Sequence, residues 1–258
     1  MEFENKVALI TGATGTIGKE VARRIIEEGG KAFITDLAQD KVDAVIKEVG
    51  GDIAGLAADV TKHEQVKAVV KACQAKFGQD INVLVNVAGV TGQGGKIEDI
   101  SEETWDFVYA VNVKGTFFFI KEVMPAMKAQ GNGAIVNFSS KSGKTGSALM
   151  SAYSSAKGAI ITLTQALAYE VAKQGIRVNC VCPGITEATG VWNNVSADYV
   201  DNMKMPHDEI VKVFTAKVPM GRLAHIEDVV NVTCFLASDR AAYMTGQAIN
   251  ITGGREMH

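Results

Sequence analysis

The sequence predicts a single α/β domain built on a doubly wound parallel sheet of seven strands. Three observations predict it. Short β-branched runs alternate with longer stretches of helical periodicity along all 258 residues. The runs are nearly continuous apolar segments, the pattern of strands buried on both faces. The 26 glycines against 4 prolines allow many tight turns with few helix breakers. Strand–helix–strand repetition then gives parallel βαβ units. No linker, low-complexity tract or repeat divides residues 1–258, so one domain is expected.

The elements follow in order. Val7 to Ile10 reads as the first strand and leads into a turn, Thr11 to Gly18. A helix with Ile17, Val21, Ile25 and Ile26 on one side follows, and Gly29-Gly30 ends it. The second strand, residues 32–35, ends at Asp36, and the third, Ile53 to Ala58, ends at Asp59. Further strands are expected over 83–85, 134–138, 178–181 and 248–251. A long helix is expected from Ser101 to Ala129, with Ser101 as N-cap and Glu102-Glu103 facing the positive helix end. It carries Trp105, Val108, Phe117, Phe118, Phe119 and Ile120, apolar on too many sides for a helix lying on one sheet. The helix from Ser151 to Lys173 is similar and rich in small residues. Both are expected to bury a second face against another subunit, giving a homotetramer or homodimer.

Composition excludes several classes. Hydrophobic residues make up 47% and charged residues 21%. A chain of this size can bury roughly three quarters of its unfolded surface, and it is too apolar to be disordered. A net charge of −3 with no basic stripe argues against nucleic acid. No apolar run approaches the roughly 18 residues a membrane span needs. Met1 to Lys6 carries Glu2 and Glu4 before the first apolar run, unlike a secretory signal. Cys73, Cys180, Cys182 and Cys234 show no zinc spacing. Reduced, buried thiols in a cytoplasmic protein and no metal site are expected.

Two local patterns point to chemistry. Glycines 12, 15 and 18 at a strand–helix turn let backbone N–H groups approach a pyrophosphate, whose charge suits the helix N-terminus. Asp36 stands 18 residues after Gly18, where a carboxylate accepts from both adenosine ribose hydroxyls and repels a 2′-phosphate. No Arg or Lys stands at 13–17 or 37, so NAD is favoured over NADP. Tyr153 and Lys157 are spaced i and i+4 and share one helix face. A fixed ammonium beside a phenol favours the phenolate. Lowering a tyrosine from pH ~10 to ~7 needs about 4 kcal/mol, at about 1.4 kcal/mol per unit, and is expected from Lys157 and an oxidised nicotinamide together. Such a phenol exchanges a proton with an alcohol or ketone near neutral pH.

These residues stand in an ordered series that resembles the classical short-chain dehydrogenase/reductase family over essentially the whole chain, Val7 to Gly254. The series comprises the Thr11–Gly18 turn, Asp59-Val60, Asn86-Val87-Ala88-Gly89, Asn112, Ser139-Ser140, Tyr153 with Lys157, and Pro183-Gly184. Ser140 lies 13 residues before Tyr153, the spacing of the family's catalytic serine. Ser139 and Ser142 compete with it, and the spacing favours Ser140.

The resemblance implies a Rossmann fold and assigns roles. Ser140 holds the substrate oxygen beside Tyr153, the general acid/base. Lys157 binds the nicotinamide ribose and lowers the Tyr153 pKa. Asn112 holds a water that connects Lys157 to solvent. Gly12, Gly15, Thr16, Ile17 and Gly18 take the pyrophosphate, and Asp36 the adenosine ribose. Asp59 and Val60 hold the adenine, and Asn86, Ala88 and Gly89 line the cofactor. Pro183, Gly184, Ile185 and Thr186 face the nicotinamide. The sequence departs from the family at Thr16, usually Gly, at Val87, often Asn, and at Ala188, usually Thr. Thr186 or Thr189 is expected to replace the last contact.

Residues 186–220 have no sheet pattern and correspond to the family's substrate lid. Glu187, Trp192 and Asn193 are expected to touch substrate, in a segment that also holds Asn194, Tyr199, Met203, Met205 and His207. These polar groups favour a hydroxylated substrate. The leading expectation is an NAD-dependent polyol or secondary-alcohol dehydrogenase. The alternatives are a 3-oxoacyl-thioester (acyl carrier protein) reductase and an idle NAD-binding regulator. The regulator is disfavoured because Ser140, Tyr153, Lys157 and Asn112 are all present.

Overall fold

A computed structural model describes residues 1–204 and 206–258; within 190–203 it does not describe the side chains of residues 195, 197–199 and 201–203. All seven strands lie parallel in one sheet: β1 (Val7–Thr11), β2 (Lys31–Thr35), β3 (Ile53–Gly55), β4 (Val83–Asn86), β5 (Gly133–Phe138), β6 (Ile176–Pro183) and β7 (Ala248–Ile251). Their spatial order is β3-β2-β1-β4-β5-β6-β7. The order reverses between β1 and β4. A crevice opens at such a point beyond the carboxyl ends of the strands, the usual ligand position in open α/β sheets.

Each strand feeds both faces, because alternate side chains point opposite ways. Ala8 and Ile10 of β1 join one core, against α1 (Thr16–Glu27), α2 (Gln39–Val49) and α10 (Ile226–Ala237). Val7 and Leu9 join the other, against α3 (His63–Phe77), α5 (Thr116–Gln130) and α7 (Ser151–Val171). The expected continuous apolar runs are therefore two interleaved cores. The four cysteines are free and buried. Among the described residues no helix is long and apolar enough to cross a membrane.

Two expected elements differ. The third strand stops at Gly55 rather than Ala58. Leu56 and Ala58 still donate to the Ile34 and Asp36 carbonyls, but as an extended loop. The expected helix from Ser101 to Ala129 is interrupted. It runs as α4 (Glu102–Tyr109), a π-turn over Ala110–Gly115, and α5. Ser101 caps α4 as expected, accepting from the Thr104 amide. At the turn the Asn112 side-chain amide donates to the Val108 carbonyl, 2.9 Å away, the group a regular helix would give to a backbone N–H. Such turns concentrate at functional sites. Gly115 follows where a Cβ would lie 2.8 Å from Val60 Cγ2, so a larger residue there collides.

The π-turn also accounts for much of the apparent surplus of apolar residues. Downstream of it Phe118, Phe119, Ile120 and Val123 all enter the core. Phe107 (53% exposed), Phe117 (44%) and Tyr169 (91%) stay on the surface.

The 186–220 segment folds as α8 (Gly190–Met203) and α9 (His207–Thr215). Thr189 caps α8 by accepting from the Trp192 amide at 3.1 Å. The side chains of Tyr199 and Met203, and Met205 itself, lie outside the described residues.

Candidate active site

A cleft of about 1190 Å³ lies across the strand ends at the β1/β4 switch point. Its floor is the glycine turn after β1. Gly12 has φ +64°, and a Cβ there would lie 2.7 Å from the Ala88 amide nitrogen. A Cβ at Gly18 would lie 2.6 Å from the Gly12 carbonyl oxygen. Only glycine lets the turn sit this close to the strand ends. The Ala88 N–H donates to Thr11 Oγ1 across the switch point.

One end of the cleft carries the two lining carboxylates among the described residues, Asp36 and Asp59. Asp36 accepts from Thr14 Oγ1 (2.6 Å), the Thr14 amide (3.0 Å) and the Leu37 amide (2.8 Å). The glycine turn thus orients the carboxylate at the end of β2. Asp59 accepts from the Thr61 amide and hydroxyl.

The wall beyond β5 carries the proton-transfer groups. Ser140 caps α6 (Lys141–Thr145), its Oγ accepting from the Ser142 amide at 3.1 Å. Its hydroxyl shares the cleft wall with Tyr153, one turn before Lys157 on α7. Lys157 Nζ donates to the Phe138 carbonyl at 2.8 Å and lies 5.6 Å from the Tyr153 ring centroid. Burial pushes the Tyr153 phenol up to about 12, with the Ser140 hydroxyl pulling the other way. Burial pushes Lys157 down to about 8. The protein by itself therefore holds the phenol protonated at neutral pH, so the lowering expected of Lys157 together with an oxidised nicotinamide is not produced by Lys157 alone. Taking both groups out of water outweighs their proximity.

Gly89 packs against this pair: a Cβ on it would lie 2.7 Å from Asn112 Oδ1 and 3.0 Å from Lys157 Nζ. Asn112 Nδ2 is taken by the Val90 and Val108 carbonyls. Its Oδ1 is buried without a hydrogen-bond partner.

The cleft brings together all but four of the residues expected in it. Gly12, Gly15, Thr16, Ile17, Gly18, Val60 and Ala88 line it beside Asp36 and Asp59. Gly89, Pro183, Gly184, Ile185, Thr186 and Trp192 line it with Ser140, Tyr153 and Lys157. Asn112 sits behind Gly89 rather than in the lining. Asn86 is buried between strands, its amide donating to Asn137 Oδ1, so it faces the sheet and not the cleft. Glu187 turns outward to His225, 3.5 Å away, and is half exposed. Asn193 is exposed on α8 and points away, while Asn194 takes a place in the lining.

Two residues that depart from the family pattern meet: Thr16 Oγ1 donates to the Ala188 carbonyl at 3.1 Å, tying the start of α1 to the lid. Ala188 takes φ +56° to make the contact. Gly143, Lys217 and Arg255 were not foreseen at the site. No periodicity or motif marks them, because each arrives through packing between distant segments.

Comparison with known proteins decides the family. A family model described as short chain dehydrogenase matches residues 6–200. The chain belongs to the short-chain dehydrogenase family. It is 37% identical to a 3-oxoacyl-(acyl-carrier-protein) reductase of Thermotoga maritima, covering 98% of this chain and 99% of that one. Among solved structures it resembles an NAD+-bound xylitol dehydrogenase, with TM-score 0.94, 32% identity, and 98% and 100% of the two chains covered. It equally resembles a variant actinorhodin polyketide ketoreductase with NADPH, with TM-score 0.93, 36% identity and 98% of each chain covered. This short-chain dehydrogenase is thus an oxidoreductase acting on alcohol or ketone groups, and it binds a nicotinamide cofactor.

Proposed function

We propose that the chain is an NAD-dependent dehydrogenase that moves a hydride between nicotinamide and the carbinol carbon of a secondary alcohol, of polyol or sugar type. The observation that carries this reading is the convergence of Ser140, Tyr153 and Lys157 in one wall of the cleft. The cleft fits the cofactor: Gly12, Gly18 and Gly89 leave no room for a Cβ, and the buried Asn112 Oδ1 has an acceptor position to offer. The turn at residues 12–18 would hold the pyrophosphate, Asp36 the adenosine ribose, and Lys157 the nicotinamide ribose. Bound oxidised nicotinamide supplies the hydride acceptor and a positive charge that favours the phenolate.

The chain's own groups do the rest. Ser140 donates to the substrate oxygen and holds it beside Tyr153. In ketone reduction the protonated Tyr153 gives its proton directly. In alcohol oxidation Tyr153 must first lose it, and Lys157, cationic below about pH 8, stabilises the resulting anion. Asn112 Oδ1 accepts from a water linking Lys157 to solvent. Because burial raises the phenol pKa, oxidation is expected to speed up as pH rises to about 8, where Lys157 loses its charge, and reduction is not.

NAD rather than NADP rests on Asp36. Its carboxylate would repel a 2′-phosphate, and the neighbouring Leu37 is an exposed apolar residue with no charge to offset this. Asp36→Ala is expected to raise kcat/KM with NADP relative to NAD at least about tenfold, one 1.4 kcal/mol step. An unchanged ratio would show that Asp36 does not reach the ribose. The reductase relatives favour a second reading, a 3-oxoacyl-thioester reductase. The two separate in one screen: NADH formation from sugar alcohols and diols supports the first, and consumption of reduced cofactor with acetoacetyl thioesters alone supports the second.

The exposed Phe107, Phe117 and Tyr169, and a groove between α5 and α7 lined by Ile120, Met124, Leu163 and Leu167, support a homodimer or homotetramer. Sedimentation equilibrium should return a multiple of 27.4 kDa; a stable monomer would overturn the assembly.

A further inference from the structure

We propose that Lys217 and Arg255 form an anion-binding subsite in the cleft, so that the alcohol oxidised carries a carboxylate, sulfonate or phosphate group. This rests on the dehydrogenase reading above and narrows it from hydroxylated substrates in general to hydroxy acids and their phosphate or sulfonate equivalents.

Lys217 is exposed and Arg255 half-buried, both at the rim of the cleft, and both are placed by packing on one ring. Lys217 Nζ lies 5.0 Å from the Phe214 ring centroid, and the Arg255 guanidinium carbon 5.4 Å from the same centroid. Phe214 is buried, with Trp192 edge-on to it at 5.9 Å. The C-terminal segment is brought there by two glycines. Gly253 (φ +61°) and Gly254 (φ +90°) lie so close to Val218 and Pro219 that Cβ atoms would approach to 2.6 and 3.1 Å. The Met220 amide donates to the Gly253 carbonyl, and Thr252 Oγ1 binds both the amide and the carbonyl of Glu256. Arg255 is thereby held against the same ring as Lys217, across 38 residues of chain.

The charges around them are sorted. Glu256, next to Arg255, points instead to Lys141 at 3.5 Å. Lys141 also donates to the Gly146 carbonyl. Among the described residues neither Lys217 nor Arg255 has a carboxylate within 4.0 Å. Among the described residues the acids in the cleft lining are Asp36 and Asp59, at the far end, after β2 and β3. Two like charges on one aromatic ring repel each other until an anion joins them, and the neighbouring Trp192, Val213 and Phe214 make its local environment apolar. Low-dielectric walls strengthen such an attraction. A planar guanidinium favours bidentate oxygen pairs, as in carboxylates and phosphates. Both cations line the cleft itself, which favours a small anionic substrate over an acidic carrier protein docked outside.

The test uses pairs that share a carbinol and differ in charge: gluconate and sorbitol, 3-hydroxybutyrate and its methyl ester, glycerol 3-phosphate and glycerol, each with NAD and the intact protein. At least one anionic member should exceed its neutral partner tenfold or more in kcat/KM. Lys217→Gln and Arg255→Gln should each lower that ratio at least tenfold, mainly through KM, and Arg255→Lys should restore part of it. Neutral members preferred throughout, or a ratio the variants leave unmoved, overturns the subsite while leaving the dehydrogenase reading intact. Activity confined to carrier-bound thioesters also overturns it. Turnover of no pair and no thioester removes the dehydrogenase reading itself.

Discussion

Tyr153→Phe is expected to lower kcat for alcohol oxidation by about 10²–10⁴-fold, the range that a positioned general acid/base contributes. The fold should survive. The ring packs among Val108, Met150, Ala152 and Ala156, and phenylalanine fills the same volume. Only the hydroxyl and its polar interaction with Ser140 are lost. NADH should therefore still bind, because Tyr153 supplies only one part of a cleft that the glycine turn and Asp36 build at its other end. Steady-state kinetics, a fluorescence titration of NADH and a thermal melt separate these effects. Turnover within a few-fold of the parent protein would remove the phenol from proton transfer.

Gly143→Ala should damage turnover and stability together. Gly143 lies in α6, three residues past Ser140, and its amide donates to the Ser140 carbonyl at 2.9 Å. A Cβ there would lie 2.6 and 2.7 Å from the backbone carbon and oxygen of Lys157, and 2.8 Å from Ser139 Oγ. Ser139 Oγ in turn donates to that Lys157 oxygen at 2.7 Å. These are backbone groups locked by a hydrogen bond, so α6 must move away from α7. That movement separates Ser140 from Tyr153. Overpacking of this kind costs about 1–3 kcal/mol, and a misplacement of about 1 Å costs on the order of 10²-fold in rate. A lower melting temperature with kcat down by that order is the expected pair of readings. Unchanged kcat would show that α6 does not set the position of the serine.

Parts of the site were legible because they are local. The glycine turn follows a strand and opens a helix, and the chain direction alone then places its N–H groups. Tyr153 and Lys157 share a face because a helix returns every 3.6 residues. Asp36 and Asp59 were found because each ends an apolar run. Residues whose side chains have a choice of partner were less legible. Asn86 stands in the family's cofactor motif, yet its amide reaches sideways to Asn137. Glu187 and Asn193 read as entrance groups, yet one faces His225 and the other faces outward on α8. Nothing in the periodicity around Asn112 announced the π-turn, because the interruption comes from its own side chain occupying a backbone carbonyl.

By itself the sequence determined the parallel sheet, the glycine turn and the order in which the chemical groups arrive. Those depend on propensities and spacings within a few residues. The tertiary structure alone decided the electrostatic state of the site. Whether a phenol beside an ammonium is lowered or raised depends on how much water both lose, which is set by β5, β6 and the π-turn packed around them. The juxtaposition of Lys217 and Arg255 was decided the same way, by a Gly–Gly turn pressed against a proline.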